Sequence, residues 1–178
     1  MSEQNTVIIV DENDNELWTY PKLAAHEESK LHRAFSIFVF NSENELLLQQ
    51  RAKEKYHSGG LWTNTVCSHP RPNEDINNEA KLRLIDEMWF TTDVEHLFWF
   101  LYKSDYENGL CEHEYDHVFI WYYDKNPNPR PDEVMDYKWI TLDDLKLDMD
   151  INPEIYTSWF KIILGNIDFV NKIKEKLK

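Results

Sequence analysis

Short, mostly apolar, β-prone runs separated by polar turns predict two β-hairpins in the first fifty positions. Residues 7–10 and 17–20 flank the polar turn at 11–15, and residues 33–40 and 46–50 flank the turn at 41–44. Such runs, separated by Asn- and Asp-rich turns, are typical of antiparallel strands. Further strands are predicted at the β-prone run 61–69 that Pro70 ends, and at residues 96–106, 113–123 and 137–140.

Helical patterns follow the second hairpin. Apolar residues recur every four positions over residues 78–88, beside a parallel polar stripe of Glu79, Arg83 and Glu87. Thr141 begins a capping-box pattern, and Asn152-Pro153 has the N-cap and first-turn residues of a further helix. Its apolar face would be Ile155, Trp159, Ile162 and Ile163, and the Lys-rich C-terminal segment would continue as an amphipathic helix. With no repeat or linker, residues 1–178 are predicted to form one mixed α/β domain, with its core at about 30–165.

The composition narrows the class of protein. Hydrophobic residues make up 42% and aromatics 14%, which favours a folded globule, and the net charge of −14 argues against nucleic acid or an anionic membrane as the main partner. A small anionic ligand stays compatible, because local cations outweigh a distant surface field. Residues 1–6 lack a targeting pattern and no run approaches about 18 apolar residues, so a cytoplasmic protein with reduced thiols is predicted. The oligomeric state is left open.

Two short motifs place reactive side chains two residues apart. Cys67 and His69 alternate in one predicted strand, and Glu112 and Glu114 alternate in another. Because successive side chains of a strand point to opposite faces, each pair shares a face. A thiol, an imidazole and two carboxylates in one pocket would form a metal and proton-transfer site. Cys111 and the histidines at 57, 96, 113 and 117 are interpreted as structural, the last two because they face away from the glutamate pair.

The motifs, taken together, resemble a known family. The segment from Leu61 to Pro70 looks like the active-site segment of type I isopentenyl-diphosphate isomerases, and the likeness extends over nearly the whole chain. The further matching segments, in the family's order, are residues 24–26, 31–36, 112–114, 132–139 and 158–159. The resemblance implies a Nudix-like α/β/α sandwich with a mixed central sheet, and the interconversion of isopentenyl and dimethylallyl diphosphate in isoprenoid precursor biosynthesis.

The resemblance also implies roles for particular residues. Cys67 and Glu114 match the catalytic pair, and Tyr102 matches a tyrosine that assists the glutamate. A first divalent metal, Mn²⁺ or Zn²⁺, would be bound by His26, His32, His69, Glu112 and Glu114. Glu87 matches the ligand of a Mg²⁺ ion that clasps the substrate diphosphate. The diphosphate contacts would be Lys22, Arg51, Lys55, Arg83 and the backbone of Ser68, with the Trp159 indole over the allylic part of the substrate.

Two departures from the family accompany the match. The spacing from His26 to His32 is one residue shorter than in the bacterial form, so the intervening loop must be rearranged if both bind metal. Trp89 replaces a glycine that usually ends the helix, at a cost of about 1 kcal/mol if the helix ends in the left-handed conformation.

Alternative interpretations are a diphosphate hydrolase of the Nudix type and a non-catalytic binding module. The hydrolase needs a fuller Arg-Glu-x-x-Glu-Glu motif than residues 82–87 offer. The module would predict loss of Cys67, His69, Tyr102 and Glu114, all of which are present. Glu79, Arg83 and Glu87 would otherwise be a solvated helix stripe.

Overall fold

The computed structural model describes residues 5–55, 57–106 and 108–177. Positions 1–4, 56, 107 and 178, which include most of the segment inspected for targeting signals and one residue of the loop after the second hairpin, lie outside the described residues. The strands are β1 (Thr6–Val10), β2 (Glu16–Pro21), β3 (His32–Phe40), β4 (Glu45–Arg51), β5 (Trp62–Thr63), β6 (Val66–Ser68), β7 (Glu95–Asp105), β8 (Cys111–Tyr122) and β9 (Val134–Thr141). The helices are α1 (Lys22–Glu27), α2 (Ile76–Met88), α3 (Leu142–Ile151), α4 (Ser158–Gly165) and α5 (Ile167–Lys176).

Strand β3 organises the mixed sheet. It pairs in parallel with β8 over its full length and antiparallel with β6, while β1 and β4 pair with its two ends. Strand β4 pairs with β5 and β9, and β7 pairs with β8. Both predicted hairpins are present, but most of β3 bonds to strands that lie far away in sequence. The residues that flank β3 in space therefore come from β6 and β8.

Helices cover both faces of this sheet, which confirms the predicted α/β/α sandwich. On one face, Leu84 and Met88 of α2 pack on Ile37 and Leu47 of the sheet. On the other face, a larger aromatic core joins the sheet to α3, α4 and α5, including Phe38, Phe40, Phe100, Phe160 and Phe169. No helix in the described part of the chain is long and apolar enough to cross a bilayer.

Helix α2 begins two residues before the predicted start. The Asp75 side chain accepts a hydrogen bond from the Asn78 backbone N–H at 3.0 Å and caps the helix. At the other end Trp89 has φ 58° and ψ 29°, and its N–H donates to the Ile85 carbonyl. The helix thus ends in the left-handed conformation despite a large, 65% exposed side chain, at the cost of about 1 kcal/mol that glycine avoids.

The prediction that Asn152-Pro153 opens an α-helix is wrong. Pro153–Ile155 forms a single 3-10 turn, and α4 begins only at Ser158. Tyr156 lies in extended backbone and bridges to Trp62, whose carbonyl accepts the Thr157 N–H at 3.0 Å. This pairing with β5 interrupts the helix, and Ile162, predicted on the apolar face, is 37% exposed.

Candidate active site

One cleft collects nearly all of the residues singled out in the sequence. It is open to solvent and has a volume of about 820 Å³ counted out to its mouth. Side chains reach it from β3, β4, β6, β7 and β8, from three helices, and from the loop between β4 and β5. The predicted residues that line it are Lys22, Arg51, Lys55, Cys67, Ser68, His69, Arg83, Glu87, Tyr102, Glu112, Glu114 and Trp159.

The two remaining predicted residues, His26 and His32, are fully buried beside the cleft. His26 lies on α1 and His32 begins β3. The turn between them passes through Ser29 at φ 57°, and the two imidazole rings lie 4.8 Å apart. The left-handed turn at Ser29 therefore lets both histidines reach one point despite their short spacing.

Four of these side chains offer ligand atoms to a common point. One nitrogen or oxygen of each of His26, His32, His69 and Glu114 lies within 4.8 Å of all the others. His32 Nε2 is 3.2 Å from His69 Nε2, which is 2.9 Å from Glu114 Oε1. Nitrogen and carboxylate ligands in this number suit a divalent transition metal.

The tautomers of two imidazoles support that interpretation. Nδ1 of His26 lies 2.7 Å from the Lys22 carbonyl, and Nδ1 of His32 lies 2.8 Å from the Lys30 carbonyl. Because a carbonyl only accepts, each Nδ1 carries the proton and leaves a lone pair on Nε2. Metal-binding histidines are usually oriented in this way by a second hydrogen bond. Burial lowers the pKa of His26, and the neighbouring His32 lowers it further, so the ring is neutral at pH 7.

Tyr102 joins the two buried glutamates. Its hydroxyl lies 2.9 Å from Glu112 Oε2 and 2.5 Å from Glu114 Oε2. Burial and the adjacent Glu114 raise the pKa of Glu112. Burial also raises the pKa of Glu114, but the adjacent imidazoles of His32 and His69 outweigh it and the net pKa falls well below its usual range. The pair therefore contains one carboxylate base and one group that holds a proton more readily.

Cys67 faces the same cleft from the other neighbour of β3. It pairs with Ser36 across β3 and β6, and its sulfur lies 4.0 Å from Arg51 Nη1. Burial raises the pKa of the thiol to about 12, although Arg51 acts in the opposite direction. Cys67 is therefore a neutral thiol that carries a proton at pH 7. Cys111 lies outside this cleft, where its sulfur accepts the Ser29 hydroxyl proton at 2.7 Å.

A network of alternating charges forms the opposite wall. Arg83 Nε lies 2.9 Å from Glu87 Oε1, and Arg83 Nη2 lies 3.7 Å from Glu133 Oε2. Lys55 also contacts Glu133. Burial raises the pKa of Glu87, although the charge of Arg83 acts in the opposite direction. Glu87 is only 4% exposed, so the stripe on α2 is not a solvated face.

Two buried donors point to a bound ligand. Arg51 Nε and Trp159 Nε1 are inaccessible to solvent and make no hydrogen bond within the described residues. The Arg51 guanidinium lies 5.2 Å from the centre of the Trp159 ring. Buried polar groups are nearly always paired in folded proteins, so these two donors match a ligand with acceptor atoms.

His57, which the sequence analysis interprets as structural, is one of the residues that form the cleft. His57 is 8% exposed and lines the cleft, with Nε2 3.4 Å from Glu112 Oε1. Its loop turns back at Gly59, where a Cβ would lie 2.4 Å from the Lys53 carbonyl oxygen, so no larger residue fits there. The Gly59-Gly60 pair was the available signal. Gln49 and Glu133 also line the cleft and were not predicted.

The structural interpretation of the other three histidines agrees with their positions. His113 Nδ1 lies 3.0 Å from the Ser29 carbonyl, and His117 Nε2 contacts Asp14. His96 lies against His117. None of these three belongs to a cluster of possible metal ligands among the described residues.

Comparisons with known proteins agree with this geometry. A family model described as the NUDIX domain matches residues 30–160. Isopentenyl-diphosphate Delta-isomerase 2 of Aromatoleum aromaticum is 47% identical over 164 residues, which are 92% of this chain and 87% of that protein. Isopentenyl-diphosphate Delta-isomerase of Pectobacterium atrosepticum is 44% identical over 161 residues, covering 90% of each. Among solved structures, DR0079 from Deinococcus radiodurans has a TM-score of 0.73 at 15% identity, over 88% of this chain and 96% of that one. This last likeness shows the fold alone.

Proposed function

Because this chain belongs to the Nudix-domain isopentenyl-diphosphate Delta-isomerases, we propose that it interconverts isopentenyl and dimethylallyl diphosphate. The observation that carries the proposal is the placement of a neutral thiol, Cys67, and a buried carboxylate, Glu114, on strands that flank β3 in one cleft. A pathway role in isoprenoid precursor biosynthesis follows from this reaction.

The reaction needs an acid and a base at opposite ends of a short alkene. Moving the double bond by one carbon adds a proton at one carbon and removes one from another, through a tertiary carbocation that water would trap. Cys67 and Glu114 supply groups that give and accept protons, and each serves both roles when the reaction runs in reverse. Tyr102, bonded to both glutamates, relays a proton to Glu114.

Aromatic rings near the cleft protect the cation from water. Trp159 on α4 is 4% exposed and turns toward the cleft. The face of an indole stabilises a cation by about 2 kcal/mol when both are desolvated. The Arg51 guanidinium also lies near this ring. We infer that the allylic part of the substrate lies against Trp159.

The metal ligands fit the donor set that the cleft presents. His26, His32, His69 and Glu114 offer ligand atoms to one point, and Glu112 belongs to a second group that shares His26. These five residues would bind a divalent ion, Mn²⁺ or Zn²⁺ among the ions that such ligands suit. When bound, this ion supplies positive charge that offsets the two buried carboxylates. The chain's own contribution is to fix the ligands through backbone carbonyls and through Tyr102.

The diphosphate would be held at the wall of alternating charges. Lys55 and Arg83 belong to this wall. Lys22, Arg51 and Ser68 also line the cleft. Glu87 would bind a Mg²⁺ ion together with phosphate oxygens, the usual way in which proteins hold this ion. These cations explain how a chain of net charge −14 binds an anion. A cytoplasmic location stays a prediction from the sequence.

The experiment that tests the proposal separates isomerisation from hydrolysis. The purified chain, loaded with Mn²⁺ and Mg²⁺, is incubated with isopentenyl diphosphate, and products are followed by NMR and by a phosphate assay. We expect dimethylallyl diphosphate and no phosphate release, and we expect chelation to abolish turnover until metal is restored. Phosphate release without isomerisation would instead support the hydrolase.

A further inference from the structure

We propose that His57 is a further ligand of the divalent ion, so that four imidazoles and two carboxylates bind it. This inference rests on the metal-binding role proposed above and extends the ligand set by a residue of the loop between β4 and β5. The structure contains a second group of possible ligands, His26, His57 and Glu112, whose ligand atoms all lie within 4.8 Å of one another. Ligands about 2.1 Å from one ion lie at most about 4.2 Å apart, so a small contraction brings this group to binding distance.

The second group joins the first. His26 belongs to both, and the carboxylates that belong to one group each, Glu112 and Glu114, are bridged by the Tyr102 hydroxyl. The ring centre of His57 lies 6.2 Å from that of His26, and its Nε2 lies 3.4 Å from Glu112 Oε1. All six side chains in the combined set are buried, and His57 is 8% exposed.

Neighbouring groups hold His57 toward the cluster. Its ring stacks on Tyr106 at 5.4 Å and 26°, and meets Trp159 edge-on at 5.8 Å and 87°. Arg51 Nη2 donates to the His57 carbonyl at 3.3 Å. On the side away from Glu112, Nδ1 lies 3.4 Å from Ser58 Oγ. These contacts hold the ring with Nε2 directed toward Glu112, as a metal ligand requires.

A six-donor set has a chemical consequence for this reaction. Six protein ligands would fill an octahedral shell and would leave no position for a bound water or hydroxide. Such a nucleophile next to the cleft would trap a carbocation, so a closed shell protects the proposed intermediate. Two carboxylates also balance the charge of a divalent ion, and a set rich in imidazole favours transition metals over Mg²⁺.

Cobalt(II) titration of the metal-free protein tests the inference without using catalysis. Co²⁺ reports its coordination number in its visible spectrum, and a competing chelator gives its affinity. We expect His57→Ala to weaken Co²⁺ binding by about 10–100-fold or more, since loss of even an outer partner of a ligand has this effect. We also expect stronger visible absorption, because the coordination number falls from six to five. The matched control is His96→Ala, which removes a histidine outside the cleft and should leave both measurements unchanged.

X-ray absorption of the zinc-loaded proteins counts the imidazoles directly. Four in the unmodified chain and three in His57→Ala would support the inference. Equal counts, with equal Co²⁺ affinity and spectrum, would overturn it and leave His57 as a neighbour of Glu112 only. Failure of the unmodified chain to bind Co²⁺ would overturn it together with the proposed metal role. Absence of isomerisation with Co²⁺ binding intact would contradict the proposed function alone.

Discussion

His32 and Glu114 face each other across the parallel pairing of β3 and β8, and Tyr102 faces Glu114 from β7 on the far side. This one row across three strands brings His32 Nε2 to 3.5 Å from Glu114 Oε1 and the Tyr102 hydroxyl to 2.5 Å from Glu114 Oε2. A one-residue slip of register would turn every side chain of the strand to the other face. The proposed base is therefore positioned by the sheet itself.

The first prediction concerns the thiol. Cys67→Ala removes the proposed proton carrier, and turnover of isopentenyl diphosphate should fall by about 10²–10⁴-fold, the usual contribution of a positioned acid or base. Steady-state kinetics measure the loss, and denaturant unfolding checks that the variant is folded. Cys111→Ala is the matched control, because that thiol lies outside the cleft, and its turnover should match the unmodified chain. Equal activity of Cys67→Ala and Cys111→Ala would exclude Cys67 from proton transfer.

The second prediction concerns the reactivity of the same thiol. Burial raises the pKa of Cys67 to about 12, so its thiolate fraction at pH 7 is very small. In a Cys111→Ala background, alkylation by iodoacetamide should accelerate about tenfold per pH unit from pH 7 to pH 10, because only the thiolate reacts. Stopped alkylation with mass spectrometry gives the rates. A plateau below pH 9 would show that Arg51 outweighs burial and that the thiol ionises normally.

The third prediction concerns the anchor for the diphosphate. Lys55→Met removes one partly buried cation of the cleft wall while keeping the length of the side chain. KM for isopentenyl diphosphate should rise by about 10–100-fold with kcat little changed, because a charged hydrogen bond of about 1.5–3 kcal/mol is made equally in ground and transition states. Lys53→Met serves as the control, since Lys53 is exposed in the same loop. Unchanged KM in both variants would remove Lys55 from the substrate site.

The fourth prediction concerns the end of α2. Trp89→Gly should stabilise the fold by about 0.5–1 kcal/mol, because glycine adopts φ 58° without the strain of a Cβ. Ile85→Gly, at an exposed position inside the same helix, should destabilise by about 1 kcal/mol. Urea unfolding of both variants gives the two values. A loss of stability in Trp89→Gly would mean that contacts of the indole outweigh the backbone strain.

Local sequence patterns predict some residues of the cleft, and contacts between distant parts of the chain determine others. The pairs Cys67–His69 and Glu112–Glu114 could be predicted because alternation in a strand is a local property, and both pairs face the cleft. The position of His57 in the cleft could not be predicted, because it depends on a loop that turns back against its own backbone at Gly59. No periodic pattern records that contact.

The C-terminal helices show the same limit. Pro153 has the local signal of a helix start, and the first turn does form. The chain then extends at Tyr156 because Trp62, some ninety residues earlier, pairs with it. Tertiary pairing overrode a correct local preference. In contrast, the capping pattern at Thr141 was sufficient to predict the start of α3. The Thr141 hydroxyl accepts a hydrogen bond from the Asp144 N–H at 3.1 Å.

Deuterium transfer from solvent to the substrate shows whether Cys67 and Glu114 give and take protons at the two ends of the alkene. The metal-loaded chain is incubated with isopentenyl diphosphate in D₂O and the products are analysed by ¹H and ²H NMR. We expect dimethylallyl diphosphate with deuterium in the methyl group formed from the terminal methylene, and loss of this signal in Cys67→Ala. Product that forms at the normal rate without deuterium would contradict it.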